Sequence, residues 1–430
     1  MAVTRRRLLT AAASGLAGMP LLAATGGCAR GQYLTDEGTL SLWYWDRSIS
    51  DTLLGKVPKA LGIDLKPQKV PYDYKSKLLV SLAGKAYVPD IAAQNEGELP
   101  QFFNDEDQWL DLTEFGADKL ESDYLDWKWQ RGVSPSGRFI GFPMDTGPTA
   151  LYYRADILEE AGFPSEPAAV AELVSDWENY FAFGEELQAK TGDSSFLVAN
   201  PRDVWRGVIG QLPERFMTED QKFIGDQDHI RRAWDLAVES HRRGLSARAV
   251  SDTPDETAAI NTGKVATRVG AVWWAEILQD WAPKSSGNWR VCRAPDGAGN
   301  WGGSYLGITK YCRDPEAAFE VIKWLQSPRN QPVGYADCAL FPAAMDALQD
   351  ESVLEPSKYF GGQVINDVFA ESARNVQPVY LGPYHDPILN PAFESQLLTV
   401  WTGGKDPDRA WRDALTEIER KLTQRGLEIA

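Results

Sequence analysis

Residues 141–164 read GFPMDTGPTALYYRADILEEAGFP, and the fold turns on how the break Asp145-Thr146-Gly147-Pro148 is read. Residues 138–142 make a strand-like run after the turn Ser134-Pro135-Ser136-Gly137. Residues 149–153 make a second run that flows into a helix, ADILEEAG, ended by Gly162 and Pro164. Two readings fit the break. It is a plain surface turn, or the chain passes there between two lobes with Asp145 facing whatever lies in the gap.

A chain of 430 residues is too long for one ordinary core, so at least two domains or lobes are predicted. The composition is globular, 43% hydrophobic and 24% charged, with no low-complexity tract and no repeat of solenoid period. Net charge is −17, and the three arginines of residues 1–27, accompanied by no acid, put the remainder at −20. So acidic a body repels phosphate backbones, which argues against nucleic acid as a partner.

The basic residues Arg5, Arg6 and Arg7 open a weakly apolar stretch interrupted by Ser14, Gly15, Gly18 and Pro20. Those interruptions argue against a permanent membrane helix and for a cleaved export signal. Thr4-Arg5-Arg6-Arg7-Leu8-Leu9 resembles the twin-arginine type of signal, and Thr25-Gly26-Gly27-Cys28 resembles a lipoprotein cleavage box with Thr25 where Leu is usual. Export with lipid on Cys28, at the outer face of the cytoplasmic membrane, is the expectation; cleavage near Ala23 or Ala24 with simple secretion is the alternative. Cys292, Cys312 and Cys338 remain. Outside the cytoplasm a disulfide is permitted, and Cys292 with Cys312, each ending a strand-like run, is the pairing expected if those strands are neighbours. Cys312 with Cys338 is the rival.

GTLSLWYWDRS alternates as a strand, YKSKLLVSLAG is helix-compatible, and PDIAAQ is a second strand. This order predicts βαβ units and a parallel sheet, whose ligands bind beyond the carboxyl ends of the strands, where Trp45-Asp46 and Gln94-Asn95-Glu96 fall. Ser175 with Glu178 reads as a capping box, and Asp314-Pro315 and Asp406-Pro407 start two later helices. The layout is mixed α/β.

Three histidines, His229, His241 and His385, are mutually remote and in no metal-ligand spacing; no nucleophile elbow, P-loop or dinucleotide fingerprint is present. No metal or cofactor is expected. A glycosidase needs only two carboxylates about 5 to 10 Å apart, so Asp46, Glu96, Asp145 and Glu276 keep an exported glycoside-acting enzyme as an alternative. The aromatic residues say more. Trp177, Trp234, Trp324 and Trp411 lie on helical stripes, as core does, whereas Trp45, Trp205, Trp273, Trp274 and Trp301 stand at strand ends or in Gly-rich loops. A flat ring beside Asp, Asn and Glu suits the C–H face and hydroxyls of a sugar; for each ring, core packing remains the competing reading.

The order GTLSLWYW, PDIAAQNE, GFPMDTGPTALYYRADILEEAGFP, NTGKVATRVGAVWWAEIL and APDGAGNWGGSYLGITKYCRDPEAAFEVIKWLQSPRNQ resembles extracellular solute-binding proteins of sugar ABC importers, the maltose-binding type, over essentially the whole mature chain. The resemblance implies a periplasmic-binding-protein fold: two α/β lobes joined by a hinge, with a ligand cleft between them. It places the crossings near Asp145, Leu306 and residue 350. The implied division is 1–27 export signal, 28–37 tether, 38–145 plus 307–350 one lobe, and 146–306 plus 351–430 the other. By motif, Asp145, Trp273 or Trp274, and Gly303-Ser304-Tyr305 carry over as ligand contacts, with Trp45, Asp46, Asn95 and Glu96 at looser positions. Together with Trp205 these are the expected site. The function implied is non-enzymatic: a monomeric receptor that captures a carbohydrate by hinge closure and delivers it to the permease subunits of an ABC importer. A non-transport surface protein of the same fold is the other alternative.

Overall fold

The computed structural model describes residues 33–427. The export signal, Cys28 and most of the tether lie outside the described residues. The strand expected at the start, β1 (Thr39–Tyr44), pairs in parallel with β2 (Asp64–Lys69) and β3 (Ile91–Asn95). Between β1 and β2 runs the helix Asp51–Leu61, capped by Ser50, whose side chain accepts from the Leu53 amide, and ended by Gly62 in the left-handed region. The helix Tyr74–Gly84 joins β2 to β3. The βαβ pattern is as expected, but the helix Asp51–Leu61 and β2 stand between the two strands read from the sequence, and only β1, β2 and β3 pair in parallel, the other pairings being antiparallel.

The break at residues 145–148 is no surface turn. Residues 142–154 form one 13-residue strand, β4 (Phe142–Arg154), which changes partners along its length. Its first half runs antiparallel to β7 (Asn300–Ile308), and its second half pairs with β5 (Thr267–Ala271) and β6 (Trp289–Cys292). The register shifts between Pro143 and Asp145 and again between Thr146 and Pro148, so the Gly-Pro break is a pair of irregularities inside a continuous strand. β7 also pairs with β3, giving the order β2-β1-β3-β7-β4-β5 with β6 beside β4.

Apolar packing divides along this ladder. One group of core residues, including Leu42, Ile91, Phe142, Leu306 and Ile322, covers β1, β3 and the near ends of β4 and β7. Another, including Leu151, Tyr153, Trp177, Trp234 and Phe393, covers the far end of β4 and the helices beyond it. The result is two α/β lobes threaded by two shared strands. Helix starts follow local chemistry: Asp314 and Asp406 cap as expected, accepting from the amides of Ala317 and Arg409. At the third start the cap is Asp176, which accepts from the Asn179 amide at 2.7 Å, and Ser175 instead holds the Asn179 side chain.

The expected Cys292–Cys312 bridge is absent: Cys292, Cys312 and Cys338 are free thiols. β6 pairs with β4 and not with β7, so Cys292 is buried in one lobe beside Leu151. Cys312 lies past the end of β7 and packs in the other lobe.

At Gly147 the shared strands leave no room for a side chain. Its amide donates to the Asn300 side chain at 2.9 Å. A Cβ there would stand 2.1 Å from the Trp301 carbonyl oxygen, a backbone atom that cannot swing away. Gly147→Ala is expected to lower stability by about 1–3 kcal/mol, the range for overpacking, read as a lower urea midpoint; an unchanged midpoint would show that the strands part freely.

Candidate functional site

The carboxyl ends of β1 and β3 and the middle of β4 and β7 converge on a cavity of about 450 Å3 between the lobes. After β1 the chain turns tightly. The Trp45 amide donates to Ser48 Oγ at 3.1 Å and Ser48 Oγ donates back to the Trp45 carbonyl at 2.8 Å, with Arg47 at φ 60°. This turn sets Trp45 edge-on against Tyr74 and leaves Asp46 at the rim. Arg47 crosses the cavity mouth to an ion pair with Glu276 on the helix Trp274–Trp281. Both partners are exposed, so the pair contributes little by itself.

Glu96, one residue past β3, is the electrostatic centre. Its amide donates to the Gly303 carbonyl at 2.9 Å. Its buried carboxylate accepts from Lys128 Nζ at 2.7 Å, from Asn300 Nδ2 at 2.8 Å and from Arg131. Burial alone would raise the Glu96 pKa, but the Lys128 and Arg131 charges outweigh it and hold the group below the usual carboxylate range. Lys128, fully buried, rests its ammonium 3.8 Å from the Tyr305 ring centre; desolvation lowers its pKa despite Glu96. Gly303, at φ 119°, leaves room for this: a Cβ would meet Lys128 Nζ and the Asp145 carbonyl, each at 2.6 Å.

Asp145 faces the same space from β4. Its Oδ1 is buried without a hydrogen-bond partner. Burial raises its pKa to about 6, against the pull of Lys128 and Ser304. The opposite wall is aromatic. Trp273 donates its Nε1–H to the Trp301 carbonyl at 3.3 Å and meets the Trp301 ring edge-to-face at 5.6 Å. The Arg206 guanidinium lies 4.3 Å over the Trp301 ring, fixed by Glu394 at 2.5 and 2.8 Å. Asp386, His385 and Asn390 complete that side. Chemically the cavity offers ring faces, an uncommitted acceptor and a neutralised floor, and among the described residues no cluster could hold a metal ion.

Of the residues expected from the sequence, Trp45, Asp46, Asn95, Glu96, Asp145, Trp273, Gly303 and Ser304 line this cavity. Three do not. Trp205 is wholly buried among Phe216, Trp234 and Phe393, touching the site only through its Nε1–H, which donates to Asn390 Oδ1 at 2.8 Å. Trp274 packs inside its lobe under the Arg268 guanidinium, 3.4 Å from the ring centre. Tyr305 alternates with Ser304 along β7 and so points inward, its hydroxyl donating to the Lys128 carbonyl at 3.1 Å. Sequence reasoning missed Arg206, Arg215, Asn300, His385, Asp386 and Asn390. Only Asn300, beside Trp301 in the Gly-rich run, carried a local signal.

Two α/β lobes threaded by shared strands, with a walled cavity where they meet, define a periplasmic-binding-protein fold. The chain belongs to the bacterial extracellular solute-binding protein family, whose model matches residues 56–360. It is 26% identical over 260 residues to the lactose-binding protein of Rhizobium radiobacter, covering 57% of this chain and 60% of that one. It is 21% identical over 381 residues to the arabinooligosaccharide-binding protein of Halalkalibacterium halodurans, covering 84% of this chain and 83% of that one. A solved extracellular solute-binding protein of family 1 superposes with a TM-score of 0.84 at 29% identity, covering 89% of this chain and 99% of that chain.

The raised Asp145 pKa sets a pH dependence. Between about pH 4 and about pH 6 the native state binds more protons than the unfolded chain, so this group's contribution to stability falls as pH rises through that window. Asp145→Asn is therefore expected to gain stability relative to wild type at pH 7 and not at pH 4. Urea denaturation of both proteins at the two pH values tests this; a stability difference independent of pH would refute the raised pKa.

Proposed function

We propose that this protein is the ligand-capturing component of a bacterial ABC importer and that its ligand is a sugar or oligosaccharide. The observation that carries the reading is the pairing of ring faces, Trp45, Trp273 and Trp301, with the partnerless acceptor of Asp145 across one cavity. A sugar presents the complementary surfaces, C–H faces for the rings and hydroxyl donors for the carboxylate. The lobes, taken as 38–145 with 307–350 and 146–306 with 351–430, close about the shared strands, and the bound sugar is handed to membrane permease subunits. The relatives named for lactose and arabinooligosaccharide binding support a carbohydrate. The protein acts as a monomer.

Hydrolysis is disfavoured by the site's own chemistry. Glu96 accepts from three donors and is held ionised, so it is unsuited to protonate a leaving group. Residues 1–27 act as the export signal, and Cys28 carries the lipid that tethers the body to the outer face of the membrane. On Cys28→Ser the protein should leave the detergent phase in detergent partitioning; equal partitioning would reject the tether.

Ligand identity is tested by thermal shift over mono-, di- and oligosaccharides, since a ligand that binds only the folded state raises the midpoint by mass action. With the sugar so found, Trp273→Ala should weaken binding by about 1–3 kcal/mol, by analogy with aromatic stacking on bases, with little loss of stability. Trp274→Ala should instead lower stability by about 3–5 kcal/mol, as large core truncations do. Calorimetric titration and thermal melts separate the two. Wild-type affinity in Trp273→Ala would remove the stacking role.

A further inference from the structure

A second cavity, of about 720 Å3, abuts the first, and Glu96, Arg215 and Leu381 wall both. Phe103, Trp127 and Tyr380 give it apolar surfaces. Two guanidiniums at its inner end are under-satisfied. Arg131, its side chain 7% exposed, pairs with Glu96 through Nη1 and lies 4.8 Å over the Trp127 ring, but its Nε and Nη2 are buried without partners. Arg215, also 7% exposed, leaves Nε without a partner, and its Nη2 reaches only the carbonyls of Gly210 and Asn300 at 3.4 and 3.5 Å. Desolvation, reinforced by Arg131, brings the Arg215 pKa down to about 9.

Nearby acceptors leave these N–H groups without hydrogen bonds, although the Asp386 charge acts on Arg215. Glu96 already accepts from Lys128, Arg131 and Asn300. Glu214 and Glu219 are exposed at the cavity rim. Buried charged donors without acceptors are costly, and a guanidinium presents its N–H groups as a planar fork that matches two oxygens of a carboxylate.

We propose that the second cavity receives the carboxylate of an acidic sugar residue on Arg131 and Arg215, so that the ligand is an oligosaccharide containing a uronic acid. This rests on the carbohydrate-receptor reading and refines it. The Trp127 and Tyr380 side chains flank the acidic unit, while the neutral part of the ligand meets Trp273 and Asp145. A singly charged carboxylate fits better than a phosphate dianion, whose doubled charge Glu96, Asp386 and the rim acids would oppose.

Calorimetric titration of the full chain with matched disaccharides tests this: digalacturonate against galactobiose of the same linkage, and cellobiouronate against cellobiose. In at least one pair the acidic member is expected to bind about ten-fold tighter or more, as charge-assisted bidentate contacts allow, with the advantage retained in part at high salt because the site is buried. Arg131→Met and Arg215→Met should each bring the acid-to-neutral affinity ratio close to one. Should either variant fail to fold, the wild-type comparison and the other variant still decide. Neutral members binding as tightly as acidic ones in every pair would overturn the carboxylate site and leave the receptor standing. Binding of no sugar in the pairs or in the wider screen would overturn both.

Discussion

Everything in this molecule hangs on the close approach of two strands. β4 and β7 lie side by side where one lobe gives way to the other, and the Gly147 position admits no side chain because the Trp301 backbone fills the space. That contact does two things at once. It makes a continuous ladder out of what would otherwise be two sheets, and it brings Asp145, Asn300, Trp301 and Ser304 to one place. The register irregularities on either side of Asp145 are the geometric cost of letting a single strand serve two lobes. A flat, regular pairing would have turned alternate residues away from the cavity.

The second organising element is the buried charge under the cavity. Isolated, Glu96 or Lys128 would be expelled from so dry a position, but with Lys128, Arg131 and Asn300 around it both oxygens of the Glu96 carboxylate are paired. Glu96 follows β3, Lys128 and Arg131 come from the segment before β4, and Asn300 opens β7. Removing any one partner leaves the rest uncompensated, so the network fixes the relative position of three chain segments and not merely one side chain.

Much of the fold was legible from residue patterns. β1 and β3 alternate or run apolar, Asp314 and Asp406 announce their helices, and the resemblance carried by residues 141–164 implied two lobes. β2 left no mark because it is a polar strand, DLKPQK, mostly exposed and containing a proline. The site was legible where it sits on strand ends, as with Trp45, Asn95 and Asp145. It was misread at Trp205, which lies in the core, and left open where a tryptophan's role depends on which way it points. Trp273 and Trp274 are adjacent in sequence, and only the helix start decides that one faces the cavity while the other lies beneath Arg268. Arg215 and Asp386 were invisible for a different reason: charged residues in loops look alike until tertiary contacts bury them.

The three free thiols have a consequence for the environment in which the chain folds and works. No covalent link joins distant parts of the described chain, so its stability owes nothing to an oxidant and survives a reducing medium. Cys292 is also chemically quiet: burial pushes its thiol up to about 12, leaving almost no thiolate to attack a disulfide or be oxidised. Cys338, at the cavity edge, is raised in the same direction by burial. The described body is thus held by packing, hydrogen bonds and buried ion pairs, with no disulfide among them.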